Sequence, residues 1–539
     1  MTRGLASKPG WLFYGGRVLD AHRASRGAGS LQRARNSSEA VLVRGGRIEA
    51  LGPLGAVKRA AGRGVRSVDL EGGTLTPGFV DSHIHLITWI RALRAVSLCE
   101  QTVEDLERAA RAAERFAREG EWVTVRGWVP RDWPRERRTR ATLDRVSPRR
   151  PLVLYAVDGH SVWANGPALA LAGVGARTAN PPGGIVDKDA SGEPTGILIE
   201  EAASLVRRAM PHVEDPAEEL RDAIEKARSL GITSAHDYDR SATRRAAQVL
   251  EARGKLGFRL LVSLPVDQLE AAETLELRSG WGNERLRLGP VKIFADGTLG
   301  SSTALLEEPY EGTTDRGNEV TTPEELLDRC GRAARAGLSV AVHAIGDRAV
   351  RNVLDAIETL ERDGCVFPFP PRIEHVQLAR EEDFARFRRL GVIASVQPIH
   401  QVTDRGLASC RWGSRTTRSY AWRSLLRAGA RVIFGSDAPF DRAGPLLALQ
   451  AAMLRTGGDG PAEAAFHAEQ RLTLAQALRA HVEEPHRSAG WGVPLGRIHP
   501  GYGADLVHFD QDLLRVPPEE LHRARVRGVW VEGARVHGK

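Results

Sequence analysis

Eight short apolar segments, most of them separated by amphipathic stretches, constrain this chain more than any other feature. They are Gly78–Asp81, Gly231–His236, Arg259–Pro265, Val291–Ala295, Ser339–His343, Arg372–Val376, Val392–Gln397 and Val432–Ser436. Between the later ones lie Pro323–Ala336 and Ala349–Arg362, with apolar residues three and four apart, the spacing of a helix that buries one face. Strands alternating with helices predict an α/β protein, and eight of them predict a TIM (β/α)8 barrel, whose chemistry sits at the C-terminal strand ends. One interval is too long for that plan. From Asp81 to Gly231 the chain runs far beyond the roughly 30 residues of a βα unit, so an insertion subdomain is expected at about 102–211. It reads as a helix (Val103–Arg118), strands at Trp122–Trp128 and Pro151–Val157, and a turn at Asn180–Gly184, placed over the barrel mouth to exclude water.

The two chain ends share a different texture. Ala40–Ile48 carries Gly45-Gly46 at a hairpin turn, and Gly503–Asp510 and Val526–His537 alternate like strands, the second with a turn at Glu532-Gly533. The expected organisation is a small β-sandwich from 1–76 and 492–539 around a barrel over 77–491.

Composition removes several function classes. With 42% hydrophobic and 27% charged residues the chain is neither disordered nor fibrous. Arg and Glu interrupt every apolar run before the roughly 18 residues of a membrane span, so no membrane partner is expected. Met1–Gly16 has no apolar stretch long enough for export, which places the protein in the cytoplasm. Cys99, Cys330, Cys365 and Cys410 have no paired spacing and predict neither disulfides nor a thiolate metal knot. The net charge of +8 is diluted, and the densest basic run, Arg131–Arg140, also holds Asp132 and Glu136. No nucleic-acid partner is expected, and the partner is a small-molecule substrate. Only seven of the 76 basic residues are lysine, so a lysine inside an apolar strand invites a chemical explanation.

The chemistry-bearing residues fall at strand ends. PGFVDSHIHL puts His83 and His85 two positions apart, on one side of an extended chain, which suits two imidazoles gripping one metal. Lys292 (VKIFADG), His343 (VAVHAIGD), His375 (RIEHVQ) and Asp437 (FGSDAP) lie at or near four further strand ends. Imidazoles and carboxylates without cysteine suit one or two divalent ions, zinc first, with manganese or iron as alternatives. A cationic lysine repels metal, but a buried one loses its proton, adds carbon dioxide and becomes a carbamate with two oxygen donors. The competing reading is a salt bridge from Lys292 to Asp296 or another carboxylate.

These segments together resemble the amidohydrolase superfamily, and within it amidohydrolase family 3, the N-substituted formamide deformylase-like metal-dependent hydrolases. RGWVPRDWP and the stretch from TRATLDRVSP to ALALAGV in the insertion, GEPTGILIEEA, and the C-terminal GRIHPGYGADLVHFD extend the resemblance over essentially the whole chain, although the family usually has lysine where Tyr502 stands. The resemblance implies that His83 and His85 bind the more buried metal and His343 and His375 the more exposed one. It implies too that a carboxylated Lys292 bridges them and that Asp437 is both ligand and proton acceptor. The implied reaction is hydrolysis of a non-peptide C–N bond of an amide, formamide or cyclic amide. Deamination or ester hydrolysis on the same scaffold, or a non-catalytic metal-bound binding protein, are the alternatives. His160, Glu200 and Asp296 are candidate substrate contacts, His400 lies near the mouth without an assigned role, and a homodimer is the default assembly.

Overall fold

The computed structural model describes residues 10–25, 39–94, 96–115, 122–157, 159–210, 216–456 and 464–538. Residues 116–118 of the expected insertion helix, and the first nine of the segment read for export, lie outside these.

Eight parallel strands form one sheet in chain order: β1 (Phe79–Ile84), β2 (Ile232–Asp237), β3 (Arg259–Pro265), β4 (Leu286–Phe294), β5 (Val340–Ala344), β6 (Arg372–His375), β7 (Ile393–Val396) and β8 (Arg431–Phe434). All eight expected strands are present. β4 starts five residues before Val291 because Leu286, Arg287 and Leu288 pair with Leu260, Leu261 and Val262 of β3. The gap between β8 and β1 is bridged past the strand ends, where the Asp437 N–H donates to the His83 carbonyl at 2.7 Å and the His85 N–H to the Ala438 carbonyl at 3.0 Å. Such closeness requires glycine at 435, since a Cβ there would stand 2.5 Å from the His83 nitrogen. The result is a TIM barrel with additional parts.

The helices follow from their patterns. Asp347–Arg362 buries Ala349, Val350, Val353, Leu354, Ala356, Ile357 and Leu360, a stripe at helical spacing, with each large side chain contributing about 1.5–3 kcal/mol. Pro323–Arg335 is started by a reciprocal cap between Thr322 and Glu325. No helix among the described residues is long and apolar enough to cross a membrane.

The N-terminal part forms one further sheet, and both chain ends share another. One orders Arg47–Pro53, Glu39–Arg44, Gly10–Tyr14 and Val65–Asp69, and the other Arg17–Val18, Thr74–Pro77, Leu506–Phe509, Val526–Val531 and Ala534–His537. Trp530 packs edge-on against Phe13 at 4.8 Å and Trp11 at 5.7 Å, in a core shared with Val41, Leu75 and Leu506.

Thr88–Pro216 is a compact unit of its own. Its six-stranded sheet runs Gly184–Lys188, Pro194–Glu200, Ser161–Ala164, Leu152–Ala156, Val123–Trp128, Val96–Ser97. Side-chain alternation sends Leu152, Leu154 and Ala156 into one core and Val153 into another, so both faces of the sheet are covered.

Candidate metal centre

β1 carries Asp81 and His83 on one face, and His85 follows one residue past its end. The Asp81 carboxylate accepts the Ser436 N–H at 2.9 Å and the His83 N–H at 3.3 Å, tying the first strand to the segment after β8. That segment delivers Asp437, whose backbone sits at φ 58°, a strained value for a non-glycine residue, as does His375 at φ 78°. Asp437 Oδ1 lies 3.5 Å from His83 Nε2 and 3.4 Å from His85 Nε2, and its Oδ2 lies 4.0 Å from His375 Nδ1. The rings of His83 and His375 are 5.1 Å apart and those of His343 and His375 4.5 Å. Imidazoles from three strands and a carboxylate from the segment after a fourth therefore meet at the barrel mouth.

Hydrogen bonds decide which ring nitrogens are bare. His83 Nδ1 contacts Glu374 Oε2 at 2.6 Å, and since the carboxylate only accepts, the ring hydrogen lies on Nδ1 and Nε2 faces Asp437. His375 Nδ1 donates to Gln397 Oε1 at 2.9 Å, leaving Nε2 bare. His343 is turned the other way, with Nε2 donating to the Gly297 carbonyl at 3.0 Å and Nδ1 free to ligate. Orienting partners of this kind are what metal-binding histidines use.

Burial drives the electrostatics. Desolvation, reinforced by the Lys292 charge, holds His83 at about 4 and His343 at about 3, and keeps His375 well below the usual range. These rings are neutral at pH 7, as ligands must be. His85 behaves oppositely: burial disfavours its charge, but hydrogen bonds to Asp239 and Asp437 outweigh that and lift it to about 10. The corner between those two carboxylates thus favours positive charge. Burial also opposes ionisation of Asp437, yet the surrounding imidazoles, His83 foremost, hold its carboxyl well below the usual range.

Lys292, on β4, is 6% exposed. Its Nζ stands 4.8 Å from the Tyr238 ring centre and 5.1 Å from that of Phe294. Among the described residues no carboxylate comes within ion-pair distance of Nζ, including that of Asp296. Desolvation lowers its pKa from 10.5 to about 8, although the charges of Glu374 and Asp437 oppose the change. A neutral amine is accessible near physiological pH.

Several residues at the site escaped the sequence reading. Glu374 is fully buried and holds His83, while Arg372 Nε lies 2.8 Å from its Oε1 and the Tyr238 hydroxyl donates to it at 3.3 Å. Asp239 Oδ1 is 3.6 Å from His85 Nδ1, and its other oxygen accepts the Ile87 N–H at 2.8 Å. His400, already expected near the mouth, brings its Nε2 within 3.8 Å of Asp437 Oδ2. The signal for Glu374 and Asp239 was present as polar residues beside strand-end ligands or strand ends, in IEH and HDYD.

The candidate substrate contacts fall in two different units. Asp296 accepts N–H bonds from Leu305 at 2.9 Å, Ile345 at 3.0 Å and Gly346 at 2.9 Å, and lies 3.7 Å from His343 Nε2, so its oxygens clamp the loops behind that histidine. Burial pushes its carboxyl up to about 7 against those bonds. In the Thr88–Pro216 unit, His160 Nδ1 and Glu200 Oε2 pair at 2.9 Å with both side chains partly exposed. Trp128 and Trp163 are core residues of that unit, rings 5.5 Å apart.

The donor set suits a divalent cation: His83, His85 and Asp437 bring ligand atoms within 4.8 Å of one another, and so do His375, His400 and Asp437. Known proteins are similar to this chain over most of their length. YtcJ of Bacillus subtilis (strain 168) is 32% identical over 521 residues, spanning 93% of this chain and 96% of its own. The N-substituted formamide deformylase of Arthrobacter pascens is 30% identical over 533 residues, 93% of this chain and 95% of that one. The crystal structure of an uncharacterised metal-dependent hydrolase from Pyrococcus horikoshii OT3 is 28% identical and covers 95% of this chain and 99% of its own, with a TM-score of 0.78. The profile of the amidohydrolase family matches residues 66–537. The chain belongs to the amidohydrolase family, hydrolases that act on carbon–nitrogen bonds.

Proposed function

We propose that the protein is a metal-dependent amidohydrolase that cleaves a non-peptide C–N bond of an amide, formamide or cyclic amide in a small molecule. The observation that carries this reading is the meeting of His83 and His85 on one oxygen of Asp437, at 3.5 and 3.4 Å, with His375 facing the other. In this reading His83, His85, His343, His375, Asp437 and a carboxylated Lys292 would hold one or two divalent ions. Zinc fits a set of imidazoles and carboxylates best. When bound, such cations lower the pKa of water toward neutrality and polarise a carbonyl.

The chain's own residues supply the rest. Asp437 takes the proton from water as its oxygen adds to the carbonyl carbon, then passes it to the departing nitrogen, leaving a carboxylic acid and an amine. Glu374 and Gln397 keep His83 and His375 in the tautomers that leave Nε2 bare. Asp296 steadies the loops on which His343 rests. His160 and Glu200 pair with each other on the insertion, both side chains partly exposed.

The test is a hydrolysis screen of N-acyl, N-formyl and cyclic amides with the protein loaded with zinc or manganese, against the same protein stripped by chelator. Turnover that appears with metal and vanishes without it is the expected result, and metal-independent turnover or none contradicts the reading. A Lys292→Ala variant retaining full metal content by elemental analysis would remove the bridging role of the lysine.

A further inference from the structure

We infer that His400 is a further catalytic residue, an Nε2–H donor to the substrate's carbonyl oxygen as that oxygen gathers negative charge. The inference rests on the hydrolase reading above and adds a group to which that reading gives no role.

The two oxygens of Asp437 look in different directions. Oδ1 faces the β1 pair, whereas Oδ2 faces His375 and His400, the latter 3.8 Å away. His400 opens the helix His400–Trp412 just after β7, is buried, and lies nearly parallel to His375 with ring centres 6.2 Å apart. Its tautomer is set from behind. Gln377 Nε2 donates to His400 Nδ1 at 3.4 Å, and the same amide nitrogen donates to Asp404 Oδ2 at 3.4 Å. Asp404 Oδ2 also accepts the Tyr420 hydroxyl at 3.0 Å, and Gln377 and Tyr420 are buried. With the amide's N–H side committed to Asp404, Nδ1 is an acceptor and the ring hydrogen is on Nε2.

Two consequences follow. A nitrogen carrying hydrogen has no lone pair to offer a cation, so His400 is not a ligand although it stands among ligand-type groups. Among the described residues, moreover, Nε2 has no hydrogen-bond acceptor in reach, since 3.8 Å to Asp437 is too long. A donor without a partner on a largely buried ring, facing the flank of the proton-accepting carboxylate, is placed for an oxygen that only the substrate brings. As water's oxygen bonds to the carbonyl carbon, the C=O π pair moves onto that oxygen and the Nε2–H meets the charge. When the pair returns, the C–N bond breaks and the nitrogen leaves with the proton held by Asp437.

The test uses metal-loaded full-length enzyme and the best substrate of the screen. His400→Phe keeps a ring and removes the donor, while His400→Gln places an amide N–H near the position of Nε2. Expected is a fall in kcat of about 10²- to 10³-fold for His400→Phe with unchanged metal content, and recovery of at least about tenfold of that loss in His400→Gln. Wild-type kcat in His400→Phe overturns the assignment, as does loss of a metal equivalent, or His400→Gln being as slow as His400→Phe. Should His400→Phe not fold, His400→Ala takes its place in the comparison. A metal-replete wild type that hydrolyses no amide overturns the hydrolase reading and this assignment with it, whereas wild-type turnover that survives His400→Phe overturns this assignment alone.

Discussion

Two groups of buried charges in this molecule look alike by exposure and differ in what their polar atoms do. Around Arg259, 1% exposed, each guanidinium nitrogen is answered: Nε meets Asp505 Oδ2 at 2.5 Å, Nη2 meets Oδ1 at 3.3 Å, and Nη1 lies 3.5 Å from Glu532 Oε1. Glu532 in turn pairs with Arg285 at 3.0 Å and donates its N–H to Asp505 at 2.7 Å. At the barrel mouth the outer nitrogen of His83 is matched in the same way by Glu374, but its inner nitrogen faces the Asp437 carboxylate, and Lys292 Nζ has no carboxylate within ion-pair distance among the described residues. Burial of charge alone does not mark a site. A site is marked by donors whose backs are satisfied and whose faces are not.

The sharpest break of this contrast is Asp437→Asn, which keeps the shape and removes the base. Turnover on the best substrate falls by about 10²- to 10⁴-fold, while the thermal midpoint changes little, measured by steady-state kinetics and calorimetry. The reverse pattern is expected of Arg259→Met. Leaving Asp505 buried without its cation costs about 3–5 kcal/mol of folding free energy by urea titration, with activity per folded molecule retained. Glu374→Gln probes the boundary between the two classes, since Glu374 is paired like the structural cluster yet backs a ligand. Metal affinity by competitive chelation weakens by about 10- to 100-fold, and a variant that binds metal as tightly as wild type would place Glu374 with Arg259.

The smallest effect concerns proton linkage away from the mouth. Burial holds His486 at about 3, while the unfolded chain titrates near its ordinary 6.5. Between those values the unfolded state binds the extra proton, so stability is full above pH 6.5 and is lost as the pH falls toward 3. From pH 7 to pH 5 this one group removes about 2 kcal/mol, and a His486→Phe variant loses that much less over the same interval.

Legibility followed periodicity. The eight barrel strands were readable because each is a short apolar run bounded by turns or helices, and helices such as Asp347–Arg362 because their stripe repeats every three to four residues. His83, His85, Lys292, His343, His375 and Asp437 could be picked out because barrel topology makes strand ends special. Glu374, Asp239, Gln397 and the Gln377–Asp404–Tyr420 chain behind His400 could not. Each acts through a partner 16 or more residues away (His83 and Glu374 are 291 apart) or through a loop whose path has no period. Asp296 shows the converse: its place after Lys292 suggested substrate, and only three-dimensional packing revealed three backbone N–H groups on its carboxylate.

By itself, then, the order of residues determined the alternation of strand and helix, the family, and which side chains stand at the barrel's active end, because periodicity and strand-end position are local properties. Tertiary structure decided which nitrogen of each histidine is bare, which acid backs which ligand, and that Lys292 faces aromatic rings instead of a carboxylate. Those outcomes depend on hydrogen bonds and desolvation among atoms brought together by folding, and no local pattern records them.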